Sequence, residues 1–225
     1  MRISIVIPAL NEAACIAATL APLQAMRARG HEVILVDGGS TDATVAQATP
    51  WCDRVLHSEA GRALQMNAGA HIASGEILWF VHADTDVPAN GDSLIQHAVQ
   101  TGAAWGRFDV RLSGAHPLLR VVAWLMNLRS RLTGIATGDQ GMFVRRELFN
   151  EVGGFAEMPL MEDIALSRAL KRRARPACLR ARLVTSSRRW ECDGIVRTIL
   201  LMWRLRFAYW RGVSPERLAA QYRHV

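Results

Sequence analysis

The 225-residue sequence has few cysteines, and none of them are spaced to form a zinc site. The four cysteines, Cys15, Cys52, Cys178 and Cys192, are scattered along the chain and never form a C-x-x-C pair. This spacing excludes the usual zinc modules and gives no disulfide framework. A reduced, cytoplasmic compartment is therefore the expectation.

Long apolar runs are also missing. The apolar run after Arg2 stops at Pro8, and no window offers about 18 uncharged apolar residues. We therefore expect neither a signal peptide nor a transmembrane helix. Half of the residues are nevertheless hydrophobic, so a sizeable buried core is available and disorder is not expected.

Two nucleotide-binding signatures and one nucleic-acid signature are absent. No G-x-G-x-x-G follows the first apolar run, and G-x-x-x-x-G-K-[ST] occurs nowhere, which argues against a dinucleotide-binding fold and a P-loop. No basic and aromatic module of the nucleic-acid-binding type is visible either. Nucleic acid is thus the least favoured anionic partner.

Lysine is almost absent, since Lys171 is the only one, and the arginines are unevenly placed. Residues 1–100 hold 5 Arg against 10 Asp and Glu, for a net charge of −5. Residues 101–225 hold 22 Lys and Arg against 10 Asp and Glu, for a net charge of +12. Either the second part meets phosphates or an anionic membrane, or the chain simply favours arginine.

Apolar runs and helical segments alternate through the first 100 residues. Short apolar runs at 3–7, 33–36 and 77–81 are separated by helical segments at 13–29 and 43–49 and by a loop and helix within 58–74. This order predicts an α/β fold with a parallel sheet between helices, in which ligands bind beyond the carboxyl ends of the strands. Asn67 and Gly69 indicate close packing of the third helix on the sheet.

Polar residues follow each predicted strand. Asp84 and Asp86 come directly after the run at 77–81, and two carboxylates so close repel each other unless a cation neutralises them. Mg²⁺ and Mn²⁺ are commonly held by one or two carboxylates together with substrate phosphates. The alternative is an acidic turn that caps the next helix. Asp37, after the second strand, can accept hydrogen bonds from a ribose or a base.

Two further sites have both a functional and a structural interpretation. Arg62 precedes a helical run, where it either meets a diphosphate or is solvated. Glu162 and Asp163 open another helix, where acids complement the helix dipole. The functional alternative for that pair is a general base at the mouth of the same crevice.

In order along the chain, the motifs IVIPALNE, VDGGSTD, HADTD, GDQG and Glu162-Asp163 resemble family 2 glycosyltransferases of the GT-A fold, in particular the short single-domain bacterial members. The resemblance implies a Rossmann-like, mostly parallel sheet flanked by helices, followed by a carboxyl-terminal helical segment. It also implies one domain over 1–225, with a nucleotide-binding half at 1–100, an acceptor half at 101–193 and a helical tail at 194–225.

The resemblance also assigns roles. Asp163 would be the catalytic base, and Asp86 with Asp84 would bind Mn²⁺ or Mg²⁺. The nucleotide would be held by Pro8, Glu12, Asp37, Arg62 and Asp84, and the acceptor would meet Glu162, Arg189 and Trp190. Processive synthases of this family carry Q-x-x-R-W, but Ser186 replaces the glutamine here. This difference argues against a processive polymerase.

These observations predict an inverting, metal-dependent transfer of sugar from a nucleotide-sugar to an acceptor hydroxyl. UDP is the nucleotide that the family favours; the acceptor is unidentified, and a lipid-linked acceptor is one option. A sugar nucleotidyltransferase is a rival, although residues 8–12 lack its Gly-rich basic loop. A silent nucleotide-sugar-binding or membrane-peripheral protein is the alternative from another class.

Two amphipathic helices are predicted in the second part. Helix 117–132 carries a stripe of Leu118, Val121, Val122, Leu125 and Leu128, for which core packing is the expectation. Segment 195–211 mixes apolar and aromatic residues with arginines. Core packing, a homodimer contact and peripheral contact with an anionic membrane, on its inner face, remain open for that segment.

Overall fold

A computed structural model describes residues 1–223, with side chains as far as Tyr222, so the end of the predicted tail 194–225 lies outside the described residues. Its strands form a single sheet in the order β3-β2-β1-β4-β7-β6-β8-β5. In chain order they are β1 (Ile3–Ala9), β2 (Glu32–Asp37), β3 (Arg54–His57), β4 (Ile77–Phe80), β5 (Thr85–Asp86), β6 (Trp105–Leu112), β7 (Phe143–Arg145) and β8 (Ala177–Thr185).

The four strands from the first 100 residues that lie side by side are parallel. Ile5 on β1 pairs with Val33 on β2 and with Trp79 on β4, and β3 continues the parallel order beyond β2. Every residue of β1, β2 and β4 is buried, as expected for strands covered by helices on both faces. The predicted α/β class with a mostly parallel sheet is confirmed.

The second part of the chain extends this sheet with mixed directions. β7 runs antiparallel to both β4 and β6, β8 runs parallel to β6, and the short β5 pairs antiparallel with β8 at the edge. β8 therefore brings residues near 185 next to the loop that follows β4. This arrangement places segments distant in sequence at one edge of the sheet.

Eleven helices among the described residues flank the sheet. The predicted helix 13–29 is in fact interrupted by a 3-10 turn at Ala21–Leu23 that contains Pro22, because proline lacks the N–H that a continuous helix needs. The helices are α1 (Ile16–Leu20), α2 (Gln24–Ala28), α3 (Thr44–Ala48), α4 (Arg62–Ile72), α5 (Gly91–Gln100), α6 (Pro117–Thr133), α7 (Arg146–Glu151), α8 (Glu162–Lys171), α9 (Arg188–Asp193), α10 (Ile195–Trp210) and α11 (Pro215–Arg223).

Helix α4 lies directly on the sheet, as the sequence predicted. A Cβ atom added at Gly69 would stand 2.4 Å from a methyl carbon of Val6 on β1, so only glycine permits this approach. Asn67, half a turn earlier, bonds both the carbonyl and the N–H of Phe155. These contacts hold α4 close against β1 and against the segment at Phe155.

Helix α6 buries a different face from the predicted one. Its buried residues include Leu119, Val122 and Met126, whereas Leu118 and Val121 from the predicted stripe are 40% and 50% exposed. The core-packing expectation for the stripe is thus correct for Val122 and wrong for Leu118, Val121 and Leu125, and Leu128 is half-buried. Apolar residues occur around most of the circumference of α6, so their pattern does not identify the buried side.

Helix α10 also has both buried and exposed apolar residues. Leu201 and Leu205 are buried against α8 and α11, but Val196, Leu200 and Trp203 are exposed. Within residues 1–223, none of the helices combines the length and the apolar character that crossing a bilayer requires.

Candidate active site

A cleft of about 680 Å³ opens at the carboxyl ends of β1 and β4, where parallel-sheet proteins bind ligands. Contributions come from the loop after β1, the loop after β4, the start of α4, and the segment from the end of β8 into α9. Six of the ten predicted site residues line it: Pro8, Glu12, Arg62, Asp84, Arg189 and Trp190.

The floor of the cleft is fixed by backbone contacts. The amide of Gln65 on α4 donates to the carbonyl of Ala9, at 2.9 Å, and to that of Val36, at 2.8 Å. These bonds lock the ends of β1 and β2 against α4. The strand that ends at Pro8 and Ala9 therefore presents a rigid edge to a ligand.

Asp37 lies at this edge but does not line the cleft. Its carboxylate accepts the N–H groups of Gly39 and Ser40, with distances of 3.0 to 3.2 Å, and Nδ1 of His57 lies 3.3 Å away. Burial opposes ionisation of Asp37, yet these hydrogen bonds hold its pKa below the ordinary value. Asp37 thus shapes the glycine turn beside the cleft.

The two acids of HADTD are separated by the fold. Asp84 belongs to the turn after β4 and lines the cleft, whereas Asp86 has joined edge strand β5, where it pairs with Val184 and is exposed. The expectation that both carboxylates converge on one pocket is therefore wrong for Asp86. A short edge strand begins one residue after Asp84, and the sequence gives no sign of it.

The surroundings of Asp84 disfavour its charged form. Burial raises the pKa of its carboxyl, and repulsion from Asp139 and Glu12 raises it further, whereas His82 and Arg188 act in the opposite direction. A carboxylate in this environment gains from any cation that binds beside it.

Next to Asp84 lies an ion pair without a predicted role. Nδ1 of His82 is 3.4 Å from a carboxylate oxygen of Asp139. Burial alone would lower the pKa of His82, but the hydrogen bond to Asp139 and its charge raise it. A Cβ added at Gly138 would come within 2.5 Å of His82, so this glycine permits the approach. The positions of His82 within HADTD and Asp139 within GDQG were the available signals.

Glu162 and Asp163 begin helix α8 beside the cleft, where Glu162 is buried and Asp163 is half-buried. Buried Glu162 is 3.0 Å from Nε of Arg62, which makes it a partner that positions Arg62 rather than a residue facing the cleft. Asp163 accepts the N–H of Gly138 at 2.9 Å and that of Ile164 at 2.7 Å. Because Gly138 precedes the lining residue Asp139, Asp163 lies on the same side of the sheet as Asp84.

Arginines close the far side of the cleft. Arg188, which was not predicted, lies 3.3 Å from Glu12 across 176 residues of sequence. The predicted Arg189 instead donates to the carbonyl of Tyr222 at 2.8 Å and covers the Tyr222 ring at 3.6 Å. Arg189 thus ties α11 to the wall of the cleft.

The side chains that line the cleft can be compared with the ligands that a divalent cation requires. Among residues 1–223, no three His, Cys, Asp or Glu side chains are grouped so as to enclose a metal ion. Asp84 is nevertheless a carboxylate whose pKa is raised by burial and by neighbouring acids, at a cleft that has room for phosphate oxygens. This set fits a Mg²⁺ or Mn²⁺ ion that takes its remaining ligands from a substrate and water.

The sheet order and the position of the cleft define a GT-A-type α/β protein, and solved structures support this class. The chain superposes on Staphylococcus aureus TarS bound to UDP with a TM-score of 0.67, at 20% identity over 83% of this chain and 60% of that one. Glucosyl-3-phosphoglycerate synthase of Mycobacterium tuberculosis, bound to Mn²⁺, UDP and its product, gives 0.59 at 22% identity, over 82% and 70% of the chains.

Comparison with families is more specific. Residues 4–153 match the model for glycosyl transferase family 2, and the chain belongs to that family. It is 34% identical to a PGL/p-HBAD biosynthesis glycosyltransferase of Mycobacterium bovis over 106 residues, which cover 44% of this chain and 41% of that relative. The chain thus matches about two fifths of the length of this relative. Membership of this family supports a transferase enzyme.

Proposed function

We propose that this enzyme transfers a sugar from a nucleotide-sugar, specifically a UDP-sugar, to an acceptor hydroxyl with inversion at the anomeric carbon. The observation that carries the proposal is that Glu12, Arg62, Asp84 and Asp139 meet in one cleft at the carboxyl edge of the sheet. A solved neighbour described as a complex with UDP-GlcNAc supports a UDP-sugar as the donor. Another, described as a complex with GDP-Man and Mn²⁺, supports a nucleotide-sugar and a divalent metal in more general terms.

On the donor side, residues 1–100 hold the nucleotide. Pro8 and Glu12 border the cleft, and Asp37 fixes the adjacent turn. Arg62 faces the diphosphate, and its ion pair with Glu162 holds the guanidinium in place. Residues 101–193 supply the acceptor side, with Trp190 as the acceptor-facing aromatic.

The metal position is assigned to Asp84 instead of Asp86, since only Asp84 faces the cleft. A divalent cation bound there supplies positive charge beside the diphosphate leaving group. Asp139, held by His82, is the nearest additional carboxylate on that wall. Asp84 and Asp139 would share this ion with the substrate.

The chemistry needs one base. The acceptor oxygen forms a bond to the anomeric carbon while the bond from that carbon to the diphosphate breaks. The hydroxyl proton passes to Asp163, and the nucleoside diphosphate leaves with the bonding electrons. Backbone N–H donors already hold both carboxylate oxygens of Asp163 in position.

The base is tested by Asp163→Asn. Asparagine retains an oxygen for the Gly138 N–H but cannot take a proton, so sugar transfer or donor hydrolysis should fall about 10²–10⁴-fold. Calorimetry should show unchanged UDP binding. Glu157→Gln, an exposed acid nearby, is the matched control and should keep the wild-type rate. Normal turnover by Asp163→Asn would remove this residue from the base role.

We also propose that the enzyme contacts an anionic membrane through α6 and α10. Helix α6 exposes Leu118, Val121, Trp124, Leu125 and Leu132, and α10 exposes Val196, Leu200, Trp203, Phe207 and Trp210. On α10 the intervals of four and three residues place these side chains along one stripe. Such a stripe supports insertion into the interface of a bilayer.

The charges beside these stripes match anionic lipids. Arg120 on α6 and both Arg197 and Arg204 on α10 are exposed and adjoin the apolar side chains. Near an anionic surface each basic residue contributes about 1 kcal/mol of attraction. A lipid-linked acceptor on the inner face of the membrane would then reach the cleft.

Vesicle co-sedimentation separates a membrane contact from a dimer contact. Replacing Leu200, Phe207 and Trp210 with serine should reduce sedimentation with phosphatidylglycerol vesicles, whereas Leu10→Ser, elsewhere on the surface, should not. Light scattering on the same samples reports oligomers. A wild-type dimer that these serines dissociate, together with unchanged vesicle binding, would assign the stripe to a homodimer contact instead.

A further inference from the structure

A second cavity, of about 290 Å³, lies between α6 and α10. It shares Asp139, Trp190 and Met202 with the main cleft, so the two spaces meet. Apolar side chains form most of its wall, and two of them, Leu125 and Trp203, also belong to the exposed stripes. The cavity therefore leads from the catalytic cleft towards the apolar surface.

Two arginines line this apolar cavity without a partner. Among the side chains that the structure describes, which extend to Tyr222, neither Arg129 nor Arg206 has an ion pair or a side-chain hydrogen bond, and Nε and Nη2 of Arg129 are buried. Burial, together with repulsion from Arg206, lowers the pKa of Arg129 to about 10. Burial also lowers the pKa of Arg206.

Nearby acids compensate these charges only in part, because burial outweighs their attraction. Asp139 and Asp163 attract both guanidinium groups, but Asp139 is paired with His82, and Asp163 is held by two backbone N–H groups. Two cations in an apolar cavity cost free energy unless an anion joins them. Guanidinium groups recognise phosphate through two parallel hydrogen bonds, which makes a phosphate-type anion the best match.

We infer that this cavity is the acceptor subsite and that the acceptor is an amphiphile. Its phosphate-type group lies between Arg129 and Arg206, and its apolar chain leaves between Leu125 and Trp203 towards the bilayer. The hydroxyl that attacks the sugar then lies at the Asp139 end of the cavity. This inference rests on the proposed transferase function, for which it defines the acceptor class.

Binding of small probes tests the subsite without the unknown acceptor. The probes are octyl phosphate below its micelle concentration, inorganic phosphate and the neutral octyl glucoside, each titrated by calorimetry. The wild type should bind octyl phosphate at least tenfold more tightly than either other probe. If inorganic phosphate bound as tightly as octyl phosphate, the acceptor would be a soluble phosphorylated compound, and the claim of an amphiphilic acceptor would be overturned. If octyl glucoside bound as tightly, the claim that the cavity recognises an anion would be overturned.

The arginines are tested with apolar replacements of similar volume. Arg129→Met and Arg206→Met together should weaken octyl phosphate binding by about tenfold or more. Unfolding temperature should stay the same or rise, because unpaired buried charges are lost. Arg172→Met with Arg180→Met, at exposed positions outside the cavity and the apolar stripes, is the matched control and should bind normally. Unchanged binding by the cavity variant would overturn the assignment.

Donor binding distinguishes the two possible failures. UDP titrated with Mn²⁺ should bind the wild type and the Arg129→Met/Arg206→Met variant alike, since these residues lie outside the nucleotide half. Loss of octyl phosphate binding with normal UDP binding supports the subsite. Absence of UDP binding in the wild type would instead refute the proposed donor, independently of the octyl phosphate result.

Discussion

The acids of the first 100 residues and the arginines around α6 and α10 are in opposite electrostatic situations. Buried Glu32 accepts bonds from Ser4 and Ser74, and hydrogen bonds of this kind hold the pKa of Glu32 low despite burial. Arg129 is also buried, but no partner sustains its charge, and its pKa falls to about 10. One region satisfies its own charges, and the other leaves charge for a ligand.

This difference indicates which part of the chain satisfies its own polar groups and which part leaves charged and apolar groups without contacts. The amino-terminal half forms a rigid platform because its polar groups are bonded internally. The carboxyl-terminal half keeps unpaired arginines and exposed tryptophans, both of which cost free energy in the isolated protein. Asp84 departs from the pattern of its own half, because its pKa is raised instead of lowered.

Within this comparison of the two regions, the largest effect is expected at Asp84. Asp84→Asn removes the charge that faces the diphosphate, and turnover of the donor should fall about 10²–10³-fold. Asp86→Asn, at an exposed position two residues away, is the matched control and should stay near the wild-type rate. Steady-state kinetics with a UDP-sugar and Mn²⁺ provide the comparison. An equal loss in both variants would indicate that Asp84 and Asp86 bind the metal together.

A smaller effect is expected on the free energy of unfolding when side-chain packing is changed in each half of the chain. Gly69→Ala inserts a methyl group against Val6 and should lower the free energy of unfolding by about 1–3 kcal/mol. Trp124→Ser removes an indole that is 60% exposed and should change it by less than about 0.5 kcal/mol. Denaturant titration measures both variants. A Trp124→Ser cost equal to that of Gly69→Ala would show that α6 packs against something in solution.

The smallest effect concerns pH and His31. Burial lowers the pKa of His31, although Asp92 opposes this shift, whereas Arg29 and the amino terminus favour it. Below about pH 6.5 the unfolded chain takes up a proton that the folded protein resists, so stability declines as pH falls towards the folded pKa. The slope is at most about 1.4 kcal/mol per pH unit.

The variant His31→Asn isolates this contribution. It keeps an acceptor for the Ile3 N–H but does not titrate, so its unfolding free energy should decline less between pH 7 and 5.5 than that of the wild type. The unfolding free energies are measured by urea titration at each pH. An equal decline with falling pH in the two proteins would contradict a protonation penalty at His31.

Much of the platform could be predicted from the sequence because its signals are local. Apolar runs bounded by Pro8, Asp37 and Asp84 gave the parallel strands, and Gly69 indicated close packing on the sheet. The motifs also brought six of the predicted residues to one cleft, since strand ends in a parallel sheet share an edge.

The remaining features depend on contacts between distant segments. Edge strand β5 exists because β8 lies beside it, so the exposure of Asp86 could not be predicted from the motif. His82 meets Asp139 only after the chain returns past the sheet. Nothing local shows that Arg129 lacks a partner, because its nearest acids come from α8 and from the turn before β7.

The central claim, a donor cleft in which Asp84 holds a cation beside a diphosphate, is tested most directly by UDP calorimetry with and without Mn²⁺. We predict that Mn²⁺ tightens UDP binding in the wild type and in Asp86→Asn, and that Asp84→Asn loses this gain. A gain that survives in Asp84→Asn would contradict the account.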